Sequence, residues 1–338
     1  MSRGERQKKK LAVYTATGCR ACEQGILDLN YEVNELGRFA EPVFWPYVLG
    51  TPWEALPGDV DVAFFAGAIR TEADREAALR LRERSQLLVA VGSCAAFGGL
   101  PGLANLAGGG APAEATAGKG DPKPAMPAIE PEALCLPQVV TVDYFVPGCP
   151  PTQNLLWAAV LALVCRGESP SRLSYAAARL PEHIAEAIAS GVLPPRGTIF
   201  AGEKAVCGSC SRVKEEKKFG PCKRPYEAYQ ETGRCLLEQG LVCQGVATQE
   251  GCGGLCTGVG VPCRGCFGKA PAIFDPGAKM VAAISSTFET AKAEEITGLV
   301  EGFLDLAGTF YRYSVPAQCA LLATSPAHPD EGCDRCRV

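Results

Sequence analysis

Short apolar runs alternate with helix-like stretches along roughly the first half of the chain. The runs "KLAVYTA", "DVDVAFFAGA", "QLLVAVGSC" and "VVTVDYFVPGC" are continuous and of strand length, as expected for strands buried on both faces. Between them, "ACEQGILDLNYEVNEL" and "TEADREAALRLRERS" space their apolar residues every three or four positions, and "PTQNLLWAAVLALV" follows the last run in the same way. Thr71 and the acidic residues after it predict an N-cap and first helical turn. Strand and helix in alternation predict an α/β fold, a parallel sheet of flavodoxin-like, doubly wound type.

This pattern predicts a flavodoxin-like domain over residues 1–170, a helical linker over 171–199 and a Cys-rich domain over 200–338. Within the first domain, residues 101–137 are rich in Gly, Ala and Pro without periodicity and read as an extended surface insertion. Residues 200–270 hold too much Gly, Pro and Cys for regular structure. Helical spacing returns in "AKMVAAISSTFETAKAE" and "ITGLVEGFLDLAGTFY".

At 338 residues, 47% of them hydrophobic and 21% charged, the chain has ample material for an ordinary core, so small size does not explain its 18 cysteines. The basic start leads into a strand-length run with no signal-peptide core, and no segment is long and apolar enough to span a bilayer. The chain therefore reads as cytoplasmic, where abundant cysteine points to metal or redox chemistry more than to disulfides. A net charge of −4 and only brief charged runs, "RQKKK" and "KEEKK", leave no footprint for nucleic acid. The two histidines, His183 and His328, read as surface residues.

Four cysteines share one placement. Cys19 and Cys22 follow the first strand, Cys94 ends a later one and Cys149 follows the last. The carboxyl ends of parallel strands form one crevice, so these residues should converge as iron–sulfur or zinc ligands. Cys135 and Cys165 read instead as small buried apolar residues. Downstream, "GCGGLCTGVGVPCRGC" supplies Cys252, Cys256, Cys263 and Cys266, a full set of four. "CGSC" and "RCLLEQGLVCQG" supply Cys207, Cys210, Cys235 and Cys243, a second set. Structural zinc takes the same thiolates, whereas Gly-rich wrapping and a third four-cysteine group favour iron–sulfur clusters and an electron wire. Metal–thiolate bonds would then stand in for a core over residues 200–270. Cys222, Cys319, Cys333 and Cys336 are left over.

Together, "GCRACEQGILDL", "GSCAAFGGLPGL", "VDYFVPGCPPT", "GRCLLEQGLVCQG" and "GVPCRGCFG" resemble the small subunit of cytoplasmic [NiFe] hydrogenases of the F420-non-reducing, viologen-reducing type. The N-terminal motifs are similar, less closely, to the 20-kDa-type subunit of respiratory complex I. The resemblance implies three [4Fe–4S] clusters. The proximal one would bind Cys19, Cys22, Cys94 and Cys149, the medial one Cys252, Cys256, Cys263 and Cys266, and the distal one Cys207, Cys210, Cys235 and Cys243. It implies a nickel–iron site in a partner large subunit and a downstream acceptor subunit of flavin, ferredoxin or heterodisulfide-reductase type. Glu23 is the residue it suggests for a proton path. The chain departs from the family at Arg20–Ala21, where a glycine usually precedes the second cysteine, adding bulk and charge near the expected large-subunit contact. A nickel-free relay of complex-I type and a zinc-stabilised interaction module are the competing readings.

Overall fold

The computed structural model describes residues 8–29, 31–107, 128–165, 180–216, 219–288, 292–303 and 305–318. They fall into two units, one drawn from the described residues up to 200 together with 313–318, the other from those between 201 and 312. Tyr313 and the residues after it group with the first unit for a local reason. The Gly99 N–H donates to the Tyr313 carbonyl (3.1 Å), and the Gln138 side-chain amide donates to the Pro316 carbonyl (3.0 Å).

The first unit is built on a six-stranded sheet. Its strands are β1 (Lys9–Thr15), β2 (Ala40–Phe44), β3 (Val60–Ala66), β5 (Ser85–Val91), β7 (Tyr144–Val146) and β8 (Thr198–Ile199), paired in parallel in the order β2-β1-β3-β5-β7-β8. With β4 (Ile69–Thr71) and β6 (Ile129–Leu134) set aside as a separate antiparallel pair, this is the flavodoxin-like order with one further edge strand. The strand β3 is buried along almost its whole length, which is why it reads as an unbroken apolar run. The two faces carry separate cores. Leu11, Val13, Val62, Phe64 and Val89 lie with Leu156 in one; Ala12, Phe44, Ala63, Phe65 and Leu88 lie with Leu81 in the other.

The helices fall where the periodicity places them. The first stretch divides into α1 (Ala21–Leu27) and α2 (Tyr31–Phe39). Then come α3 (Pro46–Leu49), α4 (Glu72–Arg84), α5 (Gly92–Phe97) and α6 (Gln153–Val160), the last continued by a wider turn through Cys165. Thr71 caps α4 by accepting from the Asp74 N–H at 3.1 Å. The Asp74 carboxylate answers by accepting from the Thr71 N–H (2.9 Å), the Arg70 N–H (3.1 Å) and the Thr17 hydroxyl (2.8 Å). Asp143, fully buried, is neutralised by Arg82 at 2.6 Å and by Arg196, and accepts from the Leu88 N–H at 2.7 Å. A buried carboxylate is tolerated only with partners of this kind.

Two stretches differ from expectation. The described part of residues 101–137 is ordered as a 3-10 helix ending at Ala107 and the strand β6, held by reciprocal hydrogen bonds between the Asn105 side chain and the Ala133 backbone (2.8 and 2.9 Å). Residues 108–127 lie outside the described residues. The stretch expected as linker contains α7 (Glu182–Ser190) and β8, whose pairing with β7 completes the sheet. Glycine-rich sequence concealed the first, and the two-residue length of β8 the second.

The second unit has little regular structure. Short helical turns interrupt its loops until the helices Pro276–Ser285, Ala293–Glu301 and Leu306–Phe310. One small buried cluster there consists of Val206, Leu236, Leu241, Cys243 and Cys263. A second gathers Phe219, Ala247, Met280, Ile284 and Phe310. Among the described residues no helix is long and apolar enough to cross a membrane. His183 lies half-buried on α7, while His328, Cys319, Cys333 and Cys336 lie outside the described residues.

Replacing Thr71 by Ala removes one half of the reciprocal cap and is expected to lower stability by about 1 kcal/mol in denaturant unfolding.

Candidate metal centre

The first cysteine group comes from three strand ends. Cys19, exposed, lies in the turn after β1; Cys22 stands in the first turn of α1; Cys94 stands in the first turn of α5, which begins directly after β5; Cys149 follows β7. Parallel pairing puts these ends on one edge. Their side chains are electrostatically coupled. Burial pushes the Cys22 thiol far up, and charge on Cys94, Cys149 and Cys19 adds to it. Burial likewise raises Cys94 to about 11, with Cys149 adding to the shift. Cys149 is raised by burial and then by Cys19, while the Tyr313 side chain, hydrogen-bonded to it, acts the other way.

Backbone shape makes room for the four sulfurs. Gly92 has φ +84°, and a Cβ built there would collide with the Cys22 Sγ; Gly99 has φ +56°, and its Cβ would collide with the Cys94 Sγ. Arg20 also adopts a left-handed backbone, with φ 61°, and its guanidinium stacks 4.4 Å from the ring centroid of the exposed Tyr47. The added bulk therefore lies over α3, whose Tyr47, Val48 and Leu49 are all exposed.

Glu23 is buried, 2% exposed, in the first turn of α1. The Trp45 indole donates to its Oε1 at 2.5 Å, and its Oε2 has no hydrogen-bond partner among the described residues. Trp45 lies 22 positions away, and nothing in the sequence pairs the two.

In the second unit the two predicted sets interlock. The Cys207 thiol is raised by burial, with Cys235 and Cys210 contributing and Lys214 opposing. Cys243 is pushed up to about 12, chiefly by burial and then by Cys263, while N–H groups of Gly245 and Cys263 act to lower it. Cys263 is raised to about 11 by burial, with the Thr248 hydroxyl and the Gly265 N–H opposing and charge on Cys252 and Cys256 adding to the rise. The Cys263 N–H donates to the Cys243 Sγ at 3.2 Å, so ligands of different predicted sets are hydrogen-bonded neighbours. The Cys210 thiol donates to the Thr257 hydroxyl oxygen, 3.2 Å away. Cys256 is exposed, and Cys266 is half-buried three positions after Cys263.

The cysteines expected to be apolar residues are so placed. Cys135 and Cys165 are buried, Cys135 with its thiol 3.1 Å from the Gln138 side-chain Oε1. Cys222 is half-buried, beside the second cluster of the second unit. Sequence reading missed Thr248, Thr257 and Tyr313, whose side chains address cysteine sulfurs; only Thr257, next to Cys256, had a positional hint.

The thiols therefore fit a group that replaces their protons with metal. Several are half-buried or buried, and burial raises the Cys22, Cys94, Cys149, Cys207, Cys243 and Cys263 thiols, with backbone N–H groups aimed at sulfur in the second unit. Among the described residues no three His, Cys, Asp or Glu side chains stand close enough for one metal ion. Structural zinc and a multi-iron core with bridging sulfides both take four thiolates.

The profile of the NADH ubiquinone oxidoreductase 20 Kd subunit family matches residues 19–163. One subunit of the F420-non-reducing hydrogenase (vhu) of Methanocaldococcus jannaschii is 34% identical over 289 residues, covering 83% of this chain and 89% of that protein. The iron–sulfur subunit of the F420-non-reducing hydrogenase of Archaeoglobus profundus is 30% identical over 337 residues, covering 91% of this chain and 96% of that protein. Among solved structures, a chain of an NAD+-reducing [NiFe]-hydrogenase in the H2-reduced state is 27% identical, covers 46% of this chain and 91% of that chain, and gives a TM-score of 0.41.

Gly92→Ala should reduce the iron bound by anaerobically purified protein, whereas Gly37→Ala, where a Cβ meets nothing within 4 Å, should not. Iron analysis of the two variants side by side checks this. The metal-free chain should also lose stability in alkali. The Cys94 thiol of the first unit, raised from 9.0 to about 11, holds its proton more tightly folded than unfolded. Its stabilising contribution is complete below about pH 9 and is lost as pH rises through about 11, which unfolding curves at about pH 8 and about pH 11 will show.

Proposed function

This chain belongs to the family of F420-non-reducing hydrogenase iron–sulfur subunits, and we propose that it is the electron-carrying small subunit of a [NiFe] hydrogenase, with three [4Fe–4S] clusters on the twelve cysteines of its three sets. Its place in the family makes it part of a hydrogenase-type oxidoreductase whose catalytic site lies in a partner large subunit. The observation that carries the cluster reading is the mutual crowding of Cys19, Cys22, Cys94 and Cys149 at one sheet edge, with Gly92 and Gly99 leaving space for sulfur.

Cys19, Cys22, Cys94 and Cys149 would hold the proximal cluster, Cys252, Cys256, Cys263 and Cys266 the medial one, and Cys207, Cys210, Cys235 and Cys243 the distal one. When bound, such clusters supply one-electron transfer at potentials that the surrounding protein tunes. The chain's own part is to hold the sulfurs, aim hydrogen bonds at them and limit water around them. The N–H of Cys263 on the Cys243 sulfur supports adjacency of the medial and distal groups. The exposed Cys19, with Tyr47, Val48 and Leu49 on α3 and Arg20 stacked on Tyr47, supports a large-subunit contact along that edge. Glu23, buried beside Cys22 with one oxygen unpartnered, supports its reading as a proton-path residue. A downstream acceptor subunit would take the electrons.

Iron and nickel counted in the native complex, captured anaerobically through a tag on this chain, test the reading. The expected result is about twelve iron atoms per copy attributable to this chain, with stoichiometric nickel. Iron without nickel would make the chain a relay in a nickel-free complex, and zinc in place of iron would overturn the cluster reading.

A further inference from the structure

We propose that Arg212 sets the reduction potential of the cluster held by Cys207, Cys210, Cys235 and Cys243, an inference that rests on the cluster reading above. The side chain of Arg212 is only 4% exposed, although it carries a full charge two positions after Cys210. Its Nε donates to the Thr257 carbonyl at 2.6 Å, one Nη donates to the Arg234 carbonyl at 3.3 Å and the other to the Tyr229 hydroxyl at 3.3 Å. The guanidinium also sits 5.6 Å from the Tyr229 ring centroid. Thr257 follows Cys256 and Arg234 precedes Cys235, so one cation is stitched to backbone beside ligands of both sets.

Its partners orient the charge without cancelling it. Two carbonyls and a phenol are neutral acceptors. Glu231, the carboxylate paired with it, stands 3.6 Å away and is 70% exposed, where water weakens its hold. Keeping a guanidinium out of water is costly, and apolar side chains commonly replace buried ions with little loss of stability. A cation fixed beside a redox centre has a direct electrostatic effect. Reduction adds negative charge, and a nearby positive charge in a medium less polar than water favours that form, raising the potential. Arg212 also steadies the Thr257 peptide, and so the hydroxyl 3.2 Å from the Cys210 sulfur.

Redox titration of the anaerobically purified complex, followed by the EPR signal of each reduced cluster, tests the inference. Arg212→Gln, which removes charge but retains hydrogen-bonding ability, should make that cluster about tenfold harder to reduce, or about 59 mV more negative for a one-electron couple. Arg212→Lys retains the charge and should lie close to the wild type. Glu231→Gln removes the exposed countercharge and should move the potential the other way. An assembled Arg212→Gln complex with an unchanged potential overturns the proposal. If that variant fails to assemble, Arg212→Met, which removes the charge and keeps the apolar stem, decides: a negative shift of similar size supports the role and an unmoved potential refutes it. A wild-type complex lacking any cluster signal would instead defeat the cluster reading itself, a distinguishable result.

Discussion

Parallel pairing forces every strand of the main sheet to end on the same edge, and the chemistry of the first unit follows from that constraint. Cys22, Cys94 and Cys149 lie far apart in sequence, yet each needs only to stand just beyond its strand to meet the others. The helices and both cores hold this edge in register. Asp143 contributes from within, its charge answered by Arg82 and Arg196 where α4 and the approach to β8 pass the sheet. The central strands beneath that edge, β3 and β5, are buried along almost their whole length.

The second unit solves the same problem without a sheet. Two of its predicted ligands, Cys243 and Cys263, are themselves members of its small apolar cluster. Holding these sulfurs is therefore inseparable from packing the loops around them. Raised thiol pKa values are the electrostatic face of that arrangement: burial that costs little for a neutral thiol becomes expensive for a bare thiolate, and metal removes the conflict.

The fold of the first unit was legible because long apolar runs and helical periodicity are local signals; β3 and α4 stand where those signals place them. That Cys22, Cys94 and Cys149 stand just beyond strand ends was legible from the same runs. Contacts made across long separations were not. No pattern ties Trp45 to Glu23 or the Arg212 guanidinium to the Thr257 carbonyl, because each depends on where unrelated loops meet. Short elements escaped for another reason: the two residues of β8 acquire strand character only by pairing with β7.

The Asp74 carboxylate joins two parts of the first unit. One oxygen serves the cap of α4 and also the Thr17 hydroxyl, two residues before Cys19. Drift at position 74 would therefore be felt at once by a surface helix and by a cysteine-bearing turn. One carboxylate thus links the start of α4 to the turn that carries Cys19.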